Sequence, residues 1–236
     1  LDYVVAPHKH FRMEAFCDAL PWRPLTGAIR HNLENVVPHQ RSCLGLSESS
    51  VVIASSGNLD KFRDQRFWEV VNTVLERRKN CEWLIIGVES SQVPQGLVDD
   101  SVSSRVRFIG RREDFTECVA AADIYVDTFP IGGGFALTPV IVSGVPCVGA
   151  RHEYDQLFNK AVNYSILDIL MDDQDLTVGR SPADIVEKTL GLVDHPLVPK
   201  DFAQRQRRDL EKHLDLDSRV SELEDLYRYA VEAKGY

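Results

Sequence analysis

Several things are scarce in this sequence, and each scarcity excludes something. No apolar run approaches the roughly 20 residues needed to cross a bilayer, so no membrane span is expected. The first residues lack a basic stretch followed by an apolar one, so no secretory leader is read there. Positive charge is in deficit: 27 Lys and Arg face 36 Asp and Glu, a net charge of −9. That balance argues against a general nucleic-acid binder, which needs a basic footprint. The five cysteines, Cys17, Cys43, Cys81, Cys118 and Cys147, include no C-x-x-C pair. They read as reduced and buried thiols of a cytoplasmic protein. The seven histidines show no metal-ligand spacing on a helix, so no metal site is expected. No Ser-His-Asp pattern stands out, and no carboxylate pair is assigned from spacing. Internal repeats and low-complexity tracts are absent. The chain opens on Leu1 rather than methionine, which reads as the start of a piece of a longer protein.

What is present is alternation. Hydrophobic residues make up 44% of the 236, enough for a sizeable core. Apolar strand-like runs occur at 1–6, 51–56, 83–88, 106–110, 124–127 and 146–150. Helical spacing appears at 11–20, 64–80, 112–123, 136–144 and 154–169, the last with a break near Asn163. Ser181-Pro182 reads as an N-cap followed by a first-turn proline, opening another helix. Two polar helices close the chain at 200–213 and 218–233. Residues 21–50, which hold Pro21, Pro24 and Pro38, show no convincing period and read as a connector with some irregular structure. Strands alternating with helices imply right-handed crossovers and a parallel sheet. The strands are apolar on both faces, as a doubly covered sheet demands. The expected fold is α/β: a Rossmann-like parallel sheet with helices on both faces and a helical C-terminal tail. Residues 1–40 form a strand, helix and connector, and 41–236 a lobe.

Ligands of open α/β sheets bind beyond the carboxyl ends of the strands. Three loops at such ends carry suitable residues. In the first, SSGNLDKF (55–62), Gly57 permits a tight turn and Asn58 follows it, while Lys61 supplies a movable cation suited to a diphosphate. The second follows Asp127, where glycines at 132–134 precede a helix near 136. Glycines let a phosphate approach the backbone, and a helix start offers free N–H groups. The third, GRREDF (110–115), adds Arg111 and Arg112 and an aromatic face at Phe115. The plain alternative for each is a solvated surface loop, with Phe115 in the core. His152-Glu153, just past a strand end, is a further candidate contact.

The order of these segments resembles the C-terminal lobe of GT-B glycosyltransferases. Within that group it is most similar to the O-GlcNAc transferases and their bacterial N-glucosyltransferase relatives. LDYVVA (1–6), RSCLGLSESSVVIASSGNLDKF (41–62), VRFIGRREDF with AADIYVDTFP (106–130), and GGGFALTPVIVSGVP (132–146) run in the family's order. The resemblance implies that Lys61 binds the nucleotide diphosphate. It places Gly133, Gly134, Phe135 and Ala136 as amide donors, Gly110, Arg111 and Arg112 by the base and ribose, and Phe115 as the stacking aromatic. It implies a UDP-sugar donor held without a metal or other cofactor, and an acceptor protein or glycan. It also implies an N-terminal lobe of the same protein that carries the acceptor site and general base, without which this lobe would be inactive. The sequence departs from the family where H-T-T-G is replaced by Gly134-Phe135-Ala136-Leu137, and where the ribose-binding acid falls on Pro139. Those departures leave a non-catalytic interaction module as the alternative. A GT-B-like epimerase or phosphorylase lobe is a further one.

Overall fold

The computed structural model describes residues 4–6, 22–24, 36–150, 165, 167, 178–195, 198–214 and 216–234. Two short strands, β1 (Val4–Ala6) and β2 (Trp22–Pro24), pair in parallel. The main sheet follows. It contains β3 (Val51–Ser56), β4 (Cys81–Ile86), β5 (Val106–Phe108), β6 (Ile124–Val126), β7 (Cys147–Ala150) and β8 (Val178–Gly179). All neighbours are parallel, in the order β5-β4-β3-β6-β7-β8. Numbered within the sheet this is 3-2-1-4-5-6, the doubly wound order. The helices are α1 (Gln65–Arg77), α2 (Asp100–Ser103), α3 (Phe115–Ala120), α4 (Leu137–Val142), α5 (Pro182–Asp194), α6 (Val198–Leu214) and α7 (Leu216–Lys234). None is long and apolar enough to cross a membrane.

Strand alternation sorts the core into two layers. Ile53, Trp83, Ile85, Ile124, Val126 and Val148 face one way and pack with α1 and α5. Val52, Ala54, Leu84, Ile86, Tyr125 and Cys147 face the other way and pack with α3, α4 and Leu210 of α6. Successive side chains point to opposite faces of a strand, so an uninterrupted apolar run feeds both layers. Helix α1 begins where Asp64 accepts a hydrogen bond from the Arg66 amide, and it buries Phe67, Trp68, Val70, Val71, Val74 and Leu75. Those positions recur every three or four residues and so form one stripe. Phe67 sits edge-on to Phe62, Trp68, Trp83 and Phe129, with ring centroids 5.3–6.3 Å apart. At the α5 start Ser181 caps the Asp184 amide with Pro182 in the first turn, as its sequence implies. Helix α6 docks through buried Gln206, whose side-chain amide bonds both the N–H and the C=O of Cys147.

Several boundaries differ from the sequence reading. Strand β4 starts at Cys81 rather than 83, because Glu82 is satisfied inside the strand by the Ser47 amide and Arg107. The helix expected at 112–123 covers Phe115–Ala120, because Asp114 is engaged by Arg112 and His39 ahead of it. The connector at 21–50 contains β2. Cys43 is exposed rather than buried: it lies in the surface 3₁₀ turn Arg41–Leu44, which turns only Leu44 inward. Cys81, Cys118 and Cys147 are buried free thiols, with pKa values pushed up by burial. Cys17, the helix at 11–20 and most of the helix at 154–169 lie outside the described residues.

Candidate functional site

The direction of chain winding reverses between β3 and β6, and the loops leaving their carboxyl ends therefore flank one crevice. The two strands are fastened to each other just below it. Ser55 Oγ donates to the Val126 carbonyl at 2.6 Å. The Tyr125 hydroxyl lies 2.6 Å from Ser56 Oγ and accepts from the Ser56 amide. The Trp83 indole N–H donates to Ser55 Oγ at 3.1 Å.

The loop after β3 turns through a 3₁₀ segment, Leu59–Phe62. Phe62 is fully buried, and its carbonyl accepts from Trp68 Nε1 at 2.8 Å. Asn58, exposed, precedes the turn, and its carbonyl accepts from the Lys61 amide. With Phe62 anchored inward, Lys61 is left to cross toward β6. Its Nζ donates to the Gly132 carbonyl at 2.8 Å. Burial lowers the Lys61 pKa, opposed by the charge of Asp127.

Asp127, at the end of β6, is fully buried. Its Oδ1 accepts from the Thr128 amide at 2.9 Å and from the Gly133 amide at 2.7 Å. Its Oδ2 has no partner among the described residues, and neither does Thr138 Oγ1 or Ser165 Oγ. Burial pushes the Asp127 carboxyl up to about 6, against the pull of Lys61, the nearby Ser165 hydroxyl and the two amides. The Gly132–Gly133 peptide unit is thus gripped at both ends, its C=O by Lys61 and its N–H by Asp127. A Cβ at Gly133 would lie 2.8 Å from Asp127 Oδ1, so the grip requires glycine there. Gly134–Ala136 then form a 3₁₀ turn that leads into α4. That helix has six residues, shorter than the 136–144 expected, so its dipole is small and the local positive charge comes mainly from Lys61.

A second glycine contact joins the crevice to the next strands. Gly87 has φ +110, and a Cβ on it would lie 2.1 Å from the Gly57 carbonyl. Its amide donates to the Gly110 carbonyl at 2.7 Å, and the Gly57 amide donates to Ile86. Backbone therefore meets backbone from Gly57 through Gly87 to Gly110.

The structure brings Gly57, Asn58, Lys61, Gly133, Gly134 and Ala136 around the switch point, with Gly110 joined through Gly87. Arg111 is exposed. Arg112 is committed elsewhere, forming a bidentate pair with Asp114 at 2.7 and 2.8 Å. Together with His39 it holds the Asp114 carboxyl well below the usual carboxylate range. Phe115 is half-buried and packs against the second core layer, as the core alternative for it holds. The side chain of Phe135, His152 and Glu153 lie outside the described residues.

Asp127, Phe62, Trp68 and Gly87 were not singled out from the sequence. Asp127 carried one signal, an acid closing an apolar strand immediately before the glycine run. His39, Asp114 and Cys118 come close enough to bind a metal ion, but Arg112 already occupies both Asp114 oxygens. A cavity of about 360 Å³ beside Arg41, Asp123 and Lys200 lies at the amino ends of β3 and β6, opposite the crevice.

No protein-family model matches the sequence, and no curated protein sequence matches it. Solved structures do match its fold. The chain superposes on Staphylococcus aureus TarM, in complex with fondaparinux, α-GlcNAc-glycerol and UDP, with a TM-score of 0.71 at 15% identity. That match covers 96% of this chain and 44% of TarM. Against the Thermobaculum terrenum O-GlcNAc transferase the values are 0.67 and 17%, over 97% and 45% of the two chains. Against Anabaena HepE bound to UDP and glucose they are 0.70 and 12%, over 97% and 63%. The fold is that of the GT-B glycosyltransferases. The chain spans about half the length of these structures, as a single lobe of such a protein would.

Proposed function

We propose that the chain is the nucleotide-sugar-binding lobe of a glycosyltransferase, and that the crevice between β3 and β6 holds the donor's diphosphate. The observation that carries this reading is the meeting of Lys61 with the Gly132–Gly133 peptide at the switch point of the sheet. A half-buried ammonium and a glycine-lined 3₁₀ turn are the groups a diphosphate needs. On binding, Lys61 exchanges the Gly132 carbonyl for a phosphate oxygen. The Gly133 N–H is turned to Asp127 and the Ala136 N–H to the Gly133 carbonyl, so the amides offered to phosphate are those of Gly134 and Phe135. Gly110 and Arg111, at the end of β5, lie on the side where base and ribose would rest.

In this reading the lobe's part in catalysis is electrostatic. The sugar leaves a nucleoside diphosphate, negative charge grows on the leaving oxygen, and a cation fixed beforehand stabilises it without reorganisation. Among the described residues no exposed carboxylate or imidazole of the crevice is placed to deprotonate an acceptor, and in this reading the general base is supplied by a partner lobe. The neighbours bound to UDP make a UDP-sugar the expected donor. The acceptor is a protein or a glycan.

A second reading, a non-catalytic lobe, is favoured by one observation: Lys61 is already satisfied by a protein carbonyl. Calorimetric titration of UDP, GDP and ADP separates the two. A binding lobe takes one of them and loses affinity in Lys61→Ala. If no nucleotide binds at millimolar concentration, either to this chain or to the full-length protein, the donor-lobe reading fails.

A further inference from the structure

The buried Asp127 carboxylate is not accounted for by phosphate binding. An acid beside a diphosphate is repulsive, and a fully buried carboxylate is costly even with the Ser165 hydroxyl near it. A fold that only needed to close a strand would not place one there. We propose that Asp127 is the positioning residue of the phosphate cradle: its carboxylate pins the Gly133 amide and is the counter-ion that holds Lys61, charged, across the mouth of the crevice. This rests on the diphosphate reading of the site.

The geometry follows from one peptide unit. Asp127 Oδ1 takes the N–H of Gly132–Gly133 at 2.7 Å, and Lys61 Nζ takes its C=O at 2.8 Å. Hydrogen bonds in such a chain polarise one another, so each grip strengthens the other. Lys61 bonds the carbonyl rather than the carboxylate, and the two charges act on each other through the low-dielectric interior. Leaving the ammonium unbonded to the acid keeps it transferable. A direct ion pair would have to be broken before a phosphate could be engaged.

Among the described residues, the charged and titratable groups around this carboxylate are Lys61 from the turn after β3, Tyr125 on its own strand and Cys147 on β7. Burial drives Tyr125 and Cys147 upward, so both remain neutral well into the alkaline range. Lys61 is the group that loses charge there. Without Asp127, burial acts on the ammonium unopposed, and Lys61 gives up its proton at lower pH.

The test has two parts. In the ligand-free full chain, lysine side chains labelled with ¹³C and ¹⁵N are titrated by NMR in the wild type and in Asp127→Asn, with Lys61 assigned through Lys61→Arg. The Lys61 resonance is expected to titrate at lower pH in the variant. An unchanged midpoint overturns the counter-ion role whatever the nucleotide result. The second part measures UDP affinity above pH 7, where the terminal phosphate of UDP is already ionised. Asp127→Asn is expected to bind UDP about tenfold more weakly at pH 8, and to lose affinity at lower pH than the wild type does. Adding Lys61→Arg, which needs no counter-ion to stay charged, restores alkaline binding. A shifted Lys61 midpoint with UDP affinity the same in both proteins at every pH overturns the positioning role. If Lys61→Ala also leaves UDP affinity unchanged, the diphosphate reading itself fails. Should the asparagine variant not fold, Asp127→Ser, also neutral and smaller, takes its place.

Discussion

The two halves of the sheet are built differently. The half made of β3, β4 and β5 has two six-residue strands and a 13-residue helix packed on them, with an aromatic cluster at the joint. Its buried polar groups are bonded: Ser55, Ser56 and Glu82 each have partners. The half made of β6, β7 and β8 also carries a 13-residue helix, α5, but its strands have three, four and two residues and α4 has only six. All three buried side-chain oxygens without partners among the described residues, on Asp127, Thr138 and Ser165, lie in or beside this half. Burying polar atoms unpaired costs free energy, so the second half gives up stability where the first accumulates it. The first half is scaffold, and the second carries polar groups that folding alone does not satisfy.

The largest effect expected from that contrast is in the scaffold. Phe67→Ala removes the ring that touches four other aromatics, and should cost about 3–5 kcal/mol in a denaturant titration. Nucleotide affinity per folded molecule should be unchanged. Loss of affinity in the folded fraction would show that the aromatic joint also shapes the crevice.

Next comes the pH dependence of Asp127. Its folded value of about 6 lies above the ordinary 3.8, so the native state takes up this proton more readily than the unfolded chain. The destabilisation is therefore fully present above about pH 6 and disappears as pH falls below 4. The difference of roughly two units corresponds to about 3 kcal/mol. Asp127→Asn removes this term, so the stability of the variant relative to wild type should rise by that amount between pH 4 and pH 7. A constant gap between the two denaturation midpoints would mean that the carboxyl is ionised throughout.

A smaller change is expected at Lys61. Lys61→Ala should weaken nucleotide binding by about 1–3 kcal/mol, the worth of a charge-assisted contact, and should lower the melting temperature only above about pH 6, where the buried Asp127 carboxylate is left charged without its counter-ion. A large fall in melting temperature below about pH 5 as well, where Asp127 is protonated, would assign Lys61 to the scaffold. The least effect is expected at the exposed ion pairs joining α1 to α5, Arg77–Glu187 and Arg78–Asp194. Breaking them should leave the denaturation midpoint where it was, as screened surface pairs generally do.

The same contrast governs what could be read from the sequence. The doubly buried strands were legible because Val-Ile-rich runs have few other uses, and α1 because its stripe is regular. Strand β2 was not: Trp22-Arg23-Pro24 carries no alternation, and it is three residues long. Strand β8, at two residues, is too short to leave a pattern. In the crevice, Lys61 and the glycines at 132–134 were legible because such residues are conspicuous at strand ends. Asp127 was not, because what distinguishes it is burial and a bond to Gly133, and neither is written in residue order. Arg112 looked free in the sequence, yet it is tied to the carboxylate two residues on.

The bonds that fasten β3 to its neighbours also give the chain an optical use. Of its three tryptophans, two donate their indole N–H to the crevice's own supports: Trp68 to the carbonyl next to Lys61, and Trp83 to the serine that grips β6 one residue before Asp127. Indole emission follows the polarity and hydrogen bonding around the ring. A nucleotide that shifts either loop should change the intrinsic fluorescence without any added label, and Trp68→Phe and Trp83→Phe would say which side of the crevice moved.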